Sequence, residues 1–185
     1  DRLETSPDDR MLSYLPLSQV FERWAVEFGS ITAGFSLWFA ESLDTFVQDL
    51  QRAHPTLFVS VPRLWQKFQI GVHKKMPEEK LTRLLRIPIV RHFVRRKVLK
   101  GLGLDAVRYA GTGSAPIPPE LVAWYRQLGL ELLEGYGMTE DFCYSHSSVP
   151  GNVRVGYVGE PYEGVEVRIS DEGEIQIKSA GAMTG

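Results

Sequence analysis

Long apolar runs are missing from this chain. No stretch of its 185 residues approaches the roughly 20 consecutive apolar positions of a membrane-spanning helix. Cysteine is nearly missing too. The single Cys143 excludes a disulfide within the chain, and an isolated cysteine is more often an inert packed thiol than a nucleophile. That usage fits a reducing compartment, and a cytoplasmic setting is expected. Neither sign of charge is in excess: 21 Lys and Arg against 23 Asp and Glu give a formal net charge of −2. There is no global attraction for a polyanion, so no nucleic-acid partner is expected. His54, His73, His92 and His146 lack metal-ligand spacing, which argues against zinc. Ser145-His146-Ser147 contains no nucleophile-elbow pattern, which argues against a hydrolase triad. No repeat and no low-complexity tract interrupts the chain.

What is present is an ordinary globular mix, 43% hydrophobic and 24% charged, long enough for one sizeable core. Five short apolar runs read as buried strands: MLSYL (11–15), FSLWF (35–39), TLFVSV (56–61), AVRYA (106–110) and LELL (130–133). Helical patterns separate them. One covers residues 19–30. A second is capped at Ser42 and stops at His54-Pro55, and a third opens at Pro62. Pro88 breaks the segment from 77 to 100, Gly101 and Gly103 offer a C-terminal cap, and Pro118-Pro119-Glu120 starts a helix that Gly129 ends. Strands alternating with helices predict an α/β fold with an open, mostly parallel sheet flanked by helices. After Pro150 the pattern changes to alternating short strands, VEVRI and EIQIK, joined at Asp171-Glu172-Gly173. The expected division is therefore a parallel α/β unit over residues 1–150 and the beginning of a small β-rich subdomain over 151–185.

In a parallel sheet the loops leaving the strand C-terminal ends share one edge, where open α/β folds bind ligands. AVRYA and LELL are joined by a single helix and are expected to be neighbours, so their loops GTGSAPIPP and GYGMTED should face each other. In the first, Gly111 and Gly113 let backbone approach a flat ligand or adopt positive φ, although a lone G-x-G is more often just a tight turn. In the second, Tyr136 lies between two glycines and offers a ring for stacking on a base. Thr139 offers a hydroxyl to a phosphate oxygen, and Glu140 a hard oxygen ligand suited to Mg²⁺. The structural alternative is a strand end with a surface tyrosine and a capping threonine. Two such loops on neighbouring strands favour a nucleotide.

The segments LPLSQVFER, PTLFVSVPRLWQKF, GTGSAPIPPE, LELLEGYGMTE, VGYVGEPYEGVEVRI and GEIQIKSAGAMTG, in that order, resemble landmarks of the adenylate-forming superfamily, and within it the long-chain acyl-CoA synthetases. The resemblance implies activation of a fatty acid with ATP and Mg²⁺ to an acyl-adenylate, followed by transfer to coenzyme A. On the matching positions it implies that Gly113, Ser114, Ala115 and Pro116 flank adenine. Glu134, Gly135 and Tyr136 form the adenine wall, continued by Gly137 and Met138. Thr139 contacts the α-phosphate and Glu140 serves Mg²⁺, the pair carrying catalysis. Gln19, Val20 and Gly135 are the implied acyl-side positions, and residues near Val20 and Trp24 the implied lining of an acyl tunnel.

Three elements of that family are not found in the chain: the Ser/Thr/Gly-rich phosphate loop, the ribose-binding aspartate and the lysine-bearing C-terminal domain. The chain therefore reads as a central piece of a longer synthetase that would not turn over alone. Gln19 stands where the family usually has histidine, keeping hydrogen bonding but losing titratable character. A catalytically silent nucleotide- or acyl-binding module of the same fold is the alternative, and an α/β interaction scaffold a third reading. Trp24, Trp38, Trp65 and Trp124 are expected in the core. The basic helix PIVRHFVRRKVLK admits a peripheral contact with anionic membrane, but the expectation is the commoner arrangement: a core-facing stripe of Ile89, Phe93 and the Lys97 stem with a solvated basic face.

Overall fold

A computed structural model of the chain describes residues 3–184. Seven strands form one sheet in the order β2-β1-β3-β4-β5-β6-β7. β1 (Arg10–Ser13), β2 (Ser36–Phe39), β3 (Leu57–Ser60), β4 (Tyr109–Thr112) and β5 (Leu132–Tyr136) pair in parallel. β6 (His146–Ser147) and β7 (Glu160–Pro161) continue the sheet antiparallel. β8 (Glu166–Ile169) and β9 (Ile175–Lys178) make a separate hairpin that turns where Gly173 takes a φ of 85°. The mostly parallel α/β sheet expected from the strand–helix alternation is present, with β4 and β5 adjacent.

Adjacent residues on one strand show why these strands read as unbroken apolar runs. Phe58 packs into the larger core, with Leu12, Leu50 and Trp65, while Leu57 packs on the opposite face with Met11, Val26 and Phe35. Both faces are covered, so both sets of alternate side chains are apolar. The larger core is built against α3 (Phe46–Ala53), α4 (Pro62–Lys75), α5 (Glu78–Leu85), α6 (Pro88–Leu102) and α7 (Pro119–Gln127). The smaller lies beneath a composite helix: α1 (Val20–Glu22), a π-helical segment (Arg23–Phe28) and α2 (Gly29–Ala33), ended by Gly34 at φ 75°.

Element ends differ from the sequence reading for local reasons. β4 starts at Tyr109 rather than Ala106 because Leu104 accepts the Val107 N–H and closes a turn there. β5 starts at Leu132 because the Leu130 N–H is used on the Tyr125 carbonyl, wrapping the end of α7 around Gly129. α3 begins at Phe46, not after Ser42. The Ser42 hydroxyl accepts the Thr45 N–H, and the Asp49 carboxylate takes the Glu41 N–H and the Thr45 hydroxyl, so the first turn is a side-chain-bonded loop.

Two expectations of core burial fail. Trp38 is 45% exposed because β2 is the edge strand of the sheet, and Trp24 faces a cavity. On α6, Val94, Val98, Leu99 and Leu102 meet the core, whereas Ile89 and Phe93 are 77% and 68% exposed and Lys97 is exposed as well. The helix carries two apolar stripes, and packing against α3 and α5 selects the valine one. Gly103 then ends α6 against α3 with φ 76°; a Cβ there would lie 2.6 Å from the Gln51 nitrogen. Among the described residues no helix is long and apolar enough to cross a membrane.

Candidate nucleotide and acyl site

The parallel strands bring their C-terminal ends to one edge, and there a cavity of about 650 Å³ opens. Its size is that of a small-molecule site. Its floor is the sheet face of the smaller core, with Met11, Leu57, Val59 and Tyr109. One wall is the composite helix, which turns Phe21, Trp24, Ala25 and Phe28 inward. These inward positions follow i, i+3, i+4 and i+7 although Arg23–Phe28 is π-helical, a form frequent at functional sites. The mouth is polar backbone: Gly113 and Ser114 after β4, and Gly135, Tyr136 and Gly137 at the end of β5.

The two glycine loops touch, as their strand order requires. A Cβ on Gly113 would lie 3.2 Å from the Gly135 carbonyl oxygen. Ser114 is held at φ 67°, a conformation that non-glycine residues adopt rarely and that clusters at ligand sites. Beyond Gly137 the chain makes a 3-10 turn, Thr139–Asp141, followed by Phe142 and Cys143 at φ 54° and 57°. The Asp141 carboxylate accepts the Met138 N–H at 2.9 Å, and the Met138 carbonyl accepts the Cys143 N–H at 2.9 Å. This compact loop presents Thr139 and Glu140 on its exposed side. The Met183 N–H donates to the Glu140 carbonyl, so residues past β9 strap the same turn.

Of the residues singled out from sequence, Gly113, Ser114, Gly135, Tyr136 and Gly137 line the cavity together. Ala115 and Pro116 follow on the same loop, outside the lining. The Tyr136 ring stands edge-on to His146 at 6.0 Å. Glu134 points to the other face of the sheet by strand alternation, beside Leu132. It is 7% exposed, and burial holds its carboxyl above the ordinary range. Its Oε1 has no hydrogen-bond partner in the structure, nor has the buried Thr112 hydroxyl in register beside it on β4. Gln19 is an exposed N-cap residue of α1 whose side chain makes no cap bond. Val20 lies outside the cavity lining, whereas Trp24, the other position implied for the acyl tunnel, lies in it beside Phe21.

Sequence reasoning missed Glu22. It is 2% exposed and accepts hydrogen bonds from the Ser13 hydroxyl at 2.7 Å and the Tyr14 N–H at 3.1 Å, joining the end of β1 to the cavity helix. Burial raises its carboxyl above the ordinary range, against those hydrogen bonds. A lone acid on the inward side of an apolar-periodic helix was the available signal. Tyr109, Tyr144 and Tyr162 were also missed; the last two rings stack at 4.6 Å on the cavity rim.

The AMP-binding enzyme family matches residues 1–185, the whole chain. The chain belongs to that family. This AMP-binding chain is 28% identical to "Long chain acyl-CoA synthetase 7, peroxisomal" of Arabidopsis thaliana, over 95% of its own length and 28% of that protein's. It is 26% identical to "Long-chain-fatty-acid--CoA ligase FadD15" of Mycobacterium bovis, over 96% of itself and 33% of that protein. It thus spans about a third of the length of such curated relatives. Its fold is shared with an anthranilate CoA ligase, AuaEII, in complex with anthranoyl-AMP, with a TM-score of 0.71 at 22% identity, covering 97% of this chain and 33% of that one. A benzoate CoA ligase from Burkholderia xenovorans LB400 gives the same TM-score and identity, over 97% of this chain and 35% of that one.

Proposed function

We propose that this AMP-binding chain is part of a long-chain fatty acid–CoA ligase. One observation carries the reading: an apolar compartment and a glycine-rich backbone mouth share a single cavity. An acyl-adenylate is a molecule with those two ends. In the proposed reaction a fatty acid carboxylate oxygen attacks the α-phosphorus of ATP and pyrophosphate leaves. The thiol of coenzyme A then attacks the acyl carbon and AMP leaves. Positioning and charge neutralisation do most of the work in such transfers.

Phe21, Trp24 and Phe28 would hold the acyl chain in a dry channel. Gly113 through Pro116 and the backbone of Glu134 through Met138 would frame the adenine, with the Tyr136 ring stacking on it. Thr139 would donate to an α-phosphate oxygen, and Gln19 and Gly135 would lie beside the carboxylate. Among the described residues no cluster of three metal-ligating side chains exists, but Mg²⁺ needs none, since it accepts one or two carboxylates together with phosphate oxygens and water. The exposed Glu140 fits that requirement. The ion would neutralise the charge on the transferred phosphate and on the leaving pyrophosphate.

Residues 151–185 are the start of a smaller β-rich subdomain in this reading, although β7 still completes the main sheet. A cytoplasmic enzyme with peripheral membrane contact suits acids of low water solubility. In the complete protein, Tyr136→Ala should weaken ATP binding by about 1–3 kcal/mol. Glu140→Ala should lower fatty-acid-dependent pyrophosphate release far more than ATP affinity. An absence of fatty-acid-dependent ATP–pyrophosphate exchange in the unsubstituted protein would defeat the ligase reading. The Gln19 substitution favours a second reading, a binding module without turnover. Restoring histidine at that position and assaying an acyl-chain panel separates the two.

A further inference from the structure

A second cavity, of about 290 Å³, lies between α5, α6 and the end of α7, lined by Thr82, Leu85, Arg86, Arg91, Arg95 and Gln127. Leu85 belongs to the larger core, so this cavity is on the other side of the sheet from the one that Gly113 and Tyr136 line. Three of its lining residues are arginines and none is acidic. Arg86 follows the last turn of α5, where a cation suits the helix dipole, but that accounts for one guanidinium only. Arg91 and Arg95 stand one turn apart on α6, a like-charge spacing that disfavours a helix. No acidic residue of α6 relieves them, and none of the ion pairs formed among the described residues engages any of the three. One of the three is fixed in place. The Arg95 Nε–H donates to the Gln127 carbonyl at 2.6 Å, in the last turn of α7, where carbonyls lack helical partners. That bond orients the guanidinium plane and leaves both Nη groups as a fork. Gly129 turns the chain beside it at φ 86°, and a Cβ there would lie 3.7 Å from Arg95 Nη1.

We propose that this cavity binds the phosphate group of a small soluble phosphate compound, held by Arg86, Arg91 and Arg95. Three features select that ligand. A guanidinium meets phosphate oxygens in pairs, with a geometry that a halide ion cannot use. Three converging positive charges suit a dianion, since a single carboxylate would leave two of them uncompensated. The volume equals roughly ten water molecules' share of the liquid, which is room for one compact polar group and its waters rather than for a large cofactor. The Thr82 hydroxyl on the α5 wall adds an uncharged donor. A phosphate so held would join the end of α5 to α6 and, through Arg95, to the end of α7, which leads by Gly129 into β5. The inference does not rest on the ligase reading.

The test is protection of arginines from phenylglyoxal in the complete protein, mapped residue by residue by peptide mass spectrometry, with neither ATP nor acid added. Inorganic phosphate at about ten times its dissociation constant should slow modification of Arg86 and Arg91 about tenfold by mass action. The exposed Arg83 and Arg96, outside the cavity, should react at an unchanged rate. Sodium chloride at the same ionic strength should protect none of them. In Arg86→Gln, half-protection of Arg91 should need about tenfold more phosphate or higher, from the lost charge-assisted hydrogen bonds. Arg86 is solvent-exposed, so thermal melting of that variant should match the parent. No protection by phosphate, equal protection by chloride, or undiminished protection of Arg91 in Arg86→Gln overturns the proposal. Protection by vesicles bearing phosphatidic acid, with none by inorganic phosphate, also overturns it and assigns the arginines to a lipid surface.

Discussion

The indole N–H of Trp65 donates to the Gly111 carbonyl across 3.2 Å, tying α4 to the strand that runs into the first glycine loop. Trp65 is fully buried, its ring edge-on to Phe58 at 5.2 Å and to Tyr125 at 4.9 Å. The Tyr125 hydroxyl donates back to the Trp65 carbonyl at 2.7 Å, so α4, α7 and β4 meet at one tryptophan. Trp65→Phe would keep most of the ring contacts and remove the donor. We expect a loss of about 2–3 kcal/mol in denaturant unfolding, from the unpaired carbonyl and the lost volume. Tyr125→Phe should cost less, about 1 kcal/mol. Equal stability of Trp65→Phe and the parent would show that the hydrogen bond does not hold the loop's strand.

At the opposite edge of the sheet, Asp9 is buried and accepts from Arg108, from the Thr56 hydroxyl at 2.6 Å and from the Ser6 N–H at 3.0 Å. The guanidinium of Arg108, chiefly, holds the Asp9 carboxyl well below the usual carboxylate range. A carboxylate depressed in the folded state stabilises fully above its unfolded value near 4. That contribution is lost as pH falls from there toward the folded value. Asp9→Asn should therefore reduce stability at pH 7 by about 2 kcal/mol, and the deficit relative to the parent should shrink as pH is lowered below 4. Parallel stability–pH curves for the two proteins would refute the linkage.

Much of this was readable from residue order. The strand–helix alternation dictates parallel pairing, and one connecting helix between β4 and β5 dictates their adjacency, so GTGSAP and GYGMTED had to meet. On the apolar side of the cavity Phe21, Trp24, Ala25 and Phe28 keep the i, i+3, i+4, i+7 spacing of a helix face; of the two positions that the resemblance implied there, Trp24 lies in the lining and Val20 does not. On α6 the apolar pattern is split between Ile89 and Phe93 near the start of the helix and the stripe of Val94, Val98, Leu99 and Leu102. Which one packs depends on α3 and α5, and local periodicity holds no information about them. The resemblance implied Glu134 in the adenine wall, but strand alternation sends its carboxyl to the face opposite that of its cavity-lining neighbours Leu133 and Gly135.

Glu22 joins the cavity helix to the end of β1 through its carboxylate. Burial raises its carboxyl, so the charged form is the disfavoured one in the fold, and stability linked to this group is lost as pH rises through the folded value. Glu22→Gln keeps an acceptor oxygen for Ser13 and Tyr14 without the buried charge. We expect it to be neutral or slightly stabilising at pH 8. Glu22→Ala leaves those donors unpaired beside a small cavity and should cost about 2–3 kcal/mol. Thermal melts of the three proteins at pH 5 and pH 8 check this, with the Gln advantage larger at pH 8. A Gln variant as damaged as the Ala variant would mean that the charge itself is needed.

Gly137 and Cys143 close the loop that carries Thr139 and Glu140. A Cβ on Gly137 would lie 2.6 Å from the Cys143 Cα, a backbone atom that two successive left-handed residues hold in place. Gly137→Ala should therefore open the loop and lower nucleotide affinity more than global stability. The thiol reports the same closure. Burial, chiefly, with the Asp141 charge adding to it, pushes the Cys143 thiol up to about 11. At pH 8 its thiolate fraction is then about one in a thousand, and alkylation by iodoacetamide should run about a hundredfold slower than for a free cysteine. In Gly137→Ala, where the loop no longer packs on it, labelling should accelerate by tenfold or more. An unchanged labelling rate in that variant would show that the loop accommodates the methyl group without opening.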